Sequence, residues 1–172
     1  MGNRITRIIL GIIIALAALV GIYFILPGSV KYPLQAWFQK TFQSERYSIT
    51  DTYKNAKVPG YDVTFGDLVD KAGDGGAWVV EVQEESDDGK SGKYYIHAYI
   101  KKVDVSMEHE NGQENLITHS GADVEIRFDC TKKADGSVTT ESYSVYVDEE
   151  YMSDNFYRGQ ALASLVSKVS GK

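Results

Sequence analysis

Nineteen consecutive residues, Ile8 to Leu26, carry no charge, and this run limits what the chain can become more than any other feature. As a helix rising about 1.5 Å per residue, such a run is roughly 28 Å long, close to the roughly 30 Å hydrocarbon core of a bilayer. A helix of a soluble domain would show a polar stripe; this one has none. Pro27-Gly28 ends it. Ile8 and Leu26 therefore bound a membrane span, and Tyr23, Tyr32 and Trp37 fall where an aromatic belt would lie. Ala15-Leu16-Ala17 satisfies the small-x-small rule for signal cleavage, but cutting there leaves an apolar mature end, Ala18 to Leu26. The expectation is an uncleaved anchor holding the chain in the lipid bilayer through residues 8–26. Gly11 with Ala15, and Ala17 with Gly21, form small-xxx-small pairs through which two such helices can meet, although both residue types are common in spanning helices.

Charge supplies a direction. Arg4, Arg7 and the amino terminus lie before the span, and Lys31 and Lys40 follow it. With a short basic tail over residues 1–7, the expectation is an N-terminus in the cytoplasm and the bulk of the chain outside it. The formal net charge is −6, and the part after the span carries sixteen basic and twenty-four acidic residues, a net of −8. An acidic domain is a poor ligand for phosphate backbones, so nucleic acid is not an expected partner. The single cysteine, Cys130, excludes an intrachain disulfide and leaves no thiolate cluster. No lipobox-type cysteine follows the span, and none of the five asparagines sits in an N-glycosylation sequon, which leans toward a bacterial or cytosolic history.

Residues 27–61 read as a juxtamembrane amphipathic helix and connector. Pro33 suits a first helical turn, and Leu34, Trp37, Phe38 and Phe42 recur at helical spacing. That apolar face either rests in the membrane interface or packs on the domain's own core. From Ser44 to Tyr61 the pattern is weak. The domain proper, 62–172, opens with Thr64 placed to cap a short helix carrying Phe65, Leu68 and Val69. Strands follow. Trp78, Val80 and Val82 alternate with Val79 and Glu81. Tyr94, Ile96, Ala98 and Ile100 alternate with Tyr95, His97 and Tyr99, which predicts a central strand covered on both faces. A shift of phase after Lys101-Lys102 predicts a bulge. Leu116-Ile117 predicts a short strand, and Val124, Ile126, Phe128 and Cys130 a longer one. Asp135-Gly136 predicts a hairpin turn back to Tyr143, Val145 and Val147. Ser153 or Asp154 caps a last helix with Tyr157, Ala161, Leu162, Leu165 and Val169 along one stripe. The expected fold is α+β: an N-terminal transmembrane helix, then a small domain with an antiparallel sheet of about four to six strands packed against flanking helices.

Motifs for chemistry are weak. Gly89-Lys90-Ser91 ends like a phosphate-binding loop, but position 84 is Glu where that loop needs glycine, and strands flank it on both sides. His97, His109 and His119 show no spacing with a nucleophile or with further metal ligands. The acidic loops at Asp70 to Gly76 and Asp87 to Gly89 lack the ligand spacing of a calcium site. No cofactor and no catalytic set are expected. Twelve tyrosines are the richest signal, because tyrosine favours strands and recognition surfaces alike. Tyr95, His97, Tyr99 and Tyr146 form the candidate partner surface. In organisation the chain resembles the bitopic assembly factors of conjugation and secretion machines, in which one spanning helix precedes an NTF2-like or cystatin-like domain. That resemblance implies a non-catalytic interaction module working on another protein. Two other expectations stand beside it: an enclosed pocket for a small ligand or substrate, lined by Tyr95, His97, Asp129 or Tyr143, and an inhibitor or immunity-type protein whose acidic surface meets a basic partner.

Overall fold

In the computed structural model, which describes residues 2–171, the uncharged run lies within α1 (Gly2–Ile25). This helix is long and apolar enough to cross a membrane. It stops before Pro27, which has no N–H to continue it. The chain divides into two compact units, Met1–Lys31 and Tyr32–Lys172. The second holds α+β structure. Most of α2 (Gly28–Phe42) and α3 (Ser44–Lys54) come first, then α4 (Phe65–Lys71). Strands β1 (Gly76–Glu85), β2 (Gly92–Met107), β3 (Ile117–Lys132), β4 (Val138–Val147) and β5 (Glu150–Tyr151) follow, and α5 (Asn155–Ser170) closes the unit.

The strands form one antiparallel sheet in the order β1-β2-β3-β4-β5. Short polar loops join like-patterned strands, so each strand pairs with its successor. Asp135-Gly136 makes the expected turn, with Gly136 at φ 83°, a conformation that costs a Cβ-bearing residue strain. The expected bulge lies between Ile100 and Val103, where the register slips and Lys102 takes φ 46°.

Period-two alternation gives the sheet two unlike faces. On one, Trp78, Tyr94, Ile96, Ile126, Phe128 and Val145 meet Ile49 and Tyr53 of α3, Phe65 and Leu68 of α4, and Leu162 and Leu165 of α5. Phe128 is the hub. Phe65 meets it edge-on at 4.5 Å, and the rings of Tyr53 and Trp78 lie 5.7 and 6.5 Å away. The caps predicted at two helices form: the Thr64 hydroxyl accepts from the Asp67 N–H (3.0 Å), and the Asp154 carboxylate from the Phe156 N–H (2.6 Å).

Four local expectations change. Ser44 to Lys54, where the pattern is weak, is a helix; only Ile49, Thr50 and Tyr53 are buried, too few for a visible stripe. Pro33 lies inside α2 and not in its first turn, because the helix starts at Gly28 on the carbonyl of Pro27. Leu116-Ile117 does not begin a separate strand; Ile117 opens a continuous β3 whose break in register is absorbed at Gly121, φ 63°. Finally, Leu34, Trp37, Phe38 and Phe42 do not pack on the core. They are 48–66% exposed, and α2 buries Ala36 and Gln39 instead.

Candidate functional site

The second sheet face gathers the polar and aromatic residues that alternate with the core. Register lines them up in rows across the strands: Ala77, Tyr99, Glu125 and Tyr146; Val79, His97, Arg127 and Ser144; Glu81, Tyr95, Asp129 and Ser142. Residues directly opposite on neighbouring strands lie close enough for side-chain contact.

α2 covers one end of this face. Ala36 packs on Ala77 and Val79. The Gln39 side chain donates from Nε2 to the carbonyl of Val80 and accepts the Val80 N–H at Oε1 (2.8 Å). A single amide thereby mimics a neighbouring strand along the free edge of β1. Tyr32 stacks on Tyr99 at 4.7 Å and leans over His97.

Beneath Tyr32 lies a closed ion network. His97, 7% exposed, bonds Glu125 through Nδ1 and faces Glu81 through Nε2 (3.2 Å). Arg127 donates to both oxygens of Glu125, from Nε (2.9 Å) and from Nη2 (3.2 Å). Its guanidinium lies 4.2 Å from the centre of the Tyr146 ring. Burial by itself would raise the acidity range of Glu125, but the hydrogen bonds and charges of His97 and Arg127 prevail and hold it at about 2. Burial, reinforced by nearby Glu125 and Asp123, pushes the Tyr32 and Tyr99 phenols up; the Tyr99 hydroxyl donates to Asp123.

The other end of the face is open. Tyr95, Arg127, Asp129, Ser142, Tyr146 and Tyr151 line a depression of about 300 Å³ there, which Tyr143 and Arg158 reach from the core side round the edge of β4. Arg158 reaches it from α5, its guanidinium 5.5 Å from the centre of the Tyr143 ring. Tyr146 and Tyr151 rings are 5.2 Å apart.

No protein-family model, no curated protein and no solved structure matches this chain. The site is therefore read from its own geometry. Tyr95, His97, Tyr99 and Tyr146 do share one face, but α2 splits them: Tyr95 and Tyr146 lie half-buried at the open end, while His97 and Tyr99 are buried at the covered end. Of the residues expected at a membrane interface, Ile8, Tyr23 and Leu26 fall in the first unit, Tyr32 is turned onto the sheet, and Trp37 is 59% exposed. Sequence reasoning did not nominate Arg127, Glu125, Tyr151 or Arg158. Counting by two along β3 would have placed Glu125 and Arg127 on the tyrosine face; nothing local points from α5 to Arg158.

Chemically the covered end is committed. Both His97 nitrogens face carboxylates, and both Glu125 oxygens accept from Arg127. Among the described residues, no group of three or more His, Cys, Asp and Glu side chains is arranged to hold a metal ion. Cys130 is buried at 3% exposure, and burial pushes its thiol up to about 12 despite a hydrogen bond from Tyr53. A thiol in that state is neither nucleophile nor ligand at neutral pH.

Proposed function

We propose that this chain is a membrane-tethered, non-catalytic interaction module. α1 spans a bacterial cell membrane with its N-terminus in the cytoplasm, and the Tyr32–Lys172 unit works outside as part of a cell-envelope assembly. The observation that carries the reading is the open patch of Tyr95, Tyr143, Tyr146 and Tyr151 with Arg127 and Arg158. Tyrosine and arginine dominate the energetics of protein recognition, since each offers a large flat surface and a polar tip. Two guanidinium groups already resting on aromatic rings lose little freedom when a partner arrives. Arg4 and Arg7 at the start of α1 support the orientation.

A second reading, a small anionic ligand in the same depression, rests on those two guanidiniums. An inhibitor-type role rests only on the acidity of the unit. A photo-crosslinking amino acid at position 151 of the full chain, activated in intact membranes, separates them. One discrete protein adduct, lost in an Arg158→Glu variant and absent when the crosslinker sits at Thr139, supports the module. Absence of any position-dependent adduct, with a small-molecule adduct in its place, favours the ligand. An adduct with a soluble basic protein, prevented when salt is added before irradiation, favours the inhibitor. Protease protection in spheroplasts tests the orientation: the unit should be digested from outside.

A further inference from the structure

Helix α2 turns one side to the sheet and a more apolar side away from it. At about 100° per residue, Tyr32, Ala36 and Gln39 share the side on the sheet, while Leu34, Trp37 and Phe38 share the opposite side, with Phe42 at its margin. These four are 48, 59, 48 and 66% exposed, and their rings touch: Phe38 to Phe42 at 5.0 Å, Trp37 to Phe42 at 6.2 Å. The sheet therefore accounts for one side of the helix and leaves a mainly apolar stripe on the other, in which the Thr41 hydroxyl is turned back onto the Trp37 carbonyl (2.8 Å).

We propose that this stripe seats on a lipid surface, so that α2 is an interfacial helix clamped between bilayer and sheet. The inference rests on the tethered reading above. Three observations favour lipid. First, Leu34 follows Leu26 by eight residues, the last six of them rising within α2; two non-helical steps plus six helical ones reach roughly 16 Å, so the stripe cannot stray far from a bilayer that holds α1. Second, Trp and Phe on the outward side with Lys31 and Lys40 on the same helix match the make-up of helices that lie in the headgroup zone. Third, charge is segregated along the chain. Residues 1–44 contain no acid and four basic residues, while Glu45 onward carries twenty-four acids against fourteen bases, a net of −10. Anionic headgroups thus meet the basic part. A second copy docking on the same stripe would bring two strongly acidic units together, which like-charge repulsion opposes.

Trp37 is the reporter, because the other tryptophan, Trp78, is 3% exposed within the core. The full chain is reconstituted into vesicles of phosphatidylcholine with phosphatidylglycerol, in which brominated lipids carry the quencher either high on the acyl chain or near the bilayer centre. Emission of the wild type minus that of Trp37→Phe isolates residue 37. The expected result is loss of roughly half the Trp37 emission to the shallow bromines and much less to the deep ones, as for a side chain about 5–10 Å into the boundary. A Leu34→Ser/Phe38→Ser/Phe42→Ser variant should lose that quenching while Trp78 emission stays unchanged. Alkaline carbonate extraction is run on the same vesicles. A chain that resists extraction but shows no lipid quenching of Trp37 overturns the α2 inference and spares the tether. Quenching absent, with Trp37 emission shifting as protein is diluted in lipid, assigns the stripe to a second copy and also overturns it. Release by carbonate removes the tether and the inference together.

Discussion

Gln39 offers the sharpest test of how α2 is joined to the sheet. Its amide makes two hydrogen bonds to the backbone of Val80, and both residues are buried, at 6% and 3% exposure. Gln39→Met keeps the length and most of the volume of the side chain but can neither donate to the Val80 carbonyl nor accept its N–H. β1 is an edge strand. Among the described residues no further strand pairs with that edge, and water reaches the site only if α2 lifts. Each buried polar group left unmatched costs about 1–3 kcal/mol, so with both Val80 groups unmatched the variant should lose about 2–6 kcal/mol. For a unit of this size that is a fall of roughly 5–20 °C in midpoint. The measurement is urea or thermal unfolding of the detergent-solubilised chain, followed through Trp78 emission in a Trp37→Phe background. Gln39→Glu should be worse than Met, since it keeps the acceptor for the N–H, loses the donor, and buries a charge. A Met variant within about 0.5 kcal/mol of wild type would refute the account and show that α2 is held by Ala36 and Tyr32 alone.

Three further outcomes follow from individual residues. Glu125 titrates near 2 in the folded chain against an ordinary value near 4.5, so it stabilises the fold fully above pH 4.5, and that stabilisation fades as pH falls toward 2. The step is worth about 3 kcal/mol at most; urea midpoints measured from pH 6 down to 2 should show it in wild type and not in Glu125→Gln, which should also be less stable at pH 7. Cys130, buried and with its thiol pushed up to about 12, should resist iodoacetamide at pH 8 in the folded chain and react promptly in urea; equal rates would contradict its burial. A Cβ on Gly76 would lie 2.2 Å from the Tyr99 carbonyl oxygen and 2.4 Å from a Val69 methyl, so Gly76→Ala must part β1 from β2. A loss of about 3 kcal/mol in denaturant titration is expected, and a loss below about 1 kcal/mol would show the hairpin can yield.

Much of this architecture is legible residue by residue. The alternation in β2, β3 and β4 sorted Ile96, Phe128 and Val145 from Tyr95, Arg127 and Ser144 because a strand repeats every two residues whatever it touches. The cap at Thr64 and the turn at Gly136 were equally plain, since each is a backbone requirement met by few residue types, while the choice between Ser153 and Asp154 was made by the fold in favour of Asp154. α3 was not legible: three buried residues among exposed polar ones leave no periodic signature. Nor was the split of the candidate surface. His97 and Tyr99 belong to the same alternation as Tyr95, and only the arrival of Tyr32 and Gln39 from more than fifty residues away along the chain removes them from solvent.

The uncharged run, the two faces of the sheet and the burial of Cys130 are local properties: they follow from side-chain chemistry and from the repeat of a helix or strand. Which side of α2 meets the sheet is not local, because local apolarity alone favours burying Leu34, Trp37 and Phe38, and the structure buries Ala36 and Gln39 instead. Tertiary structure settled that choice through Gln39, whose amide pairs with the Val80 backbone on the free edge of β1. The same docking sealed His97 with Glu125 and left the Tyr146 and Arg158 end open.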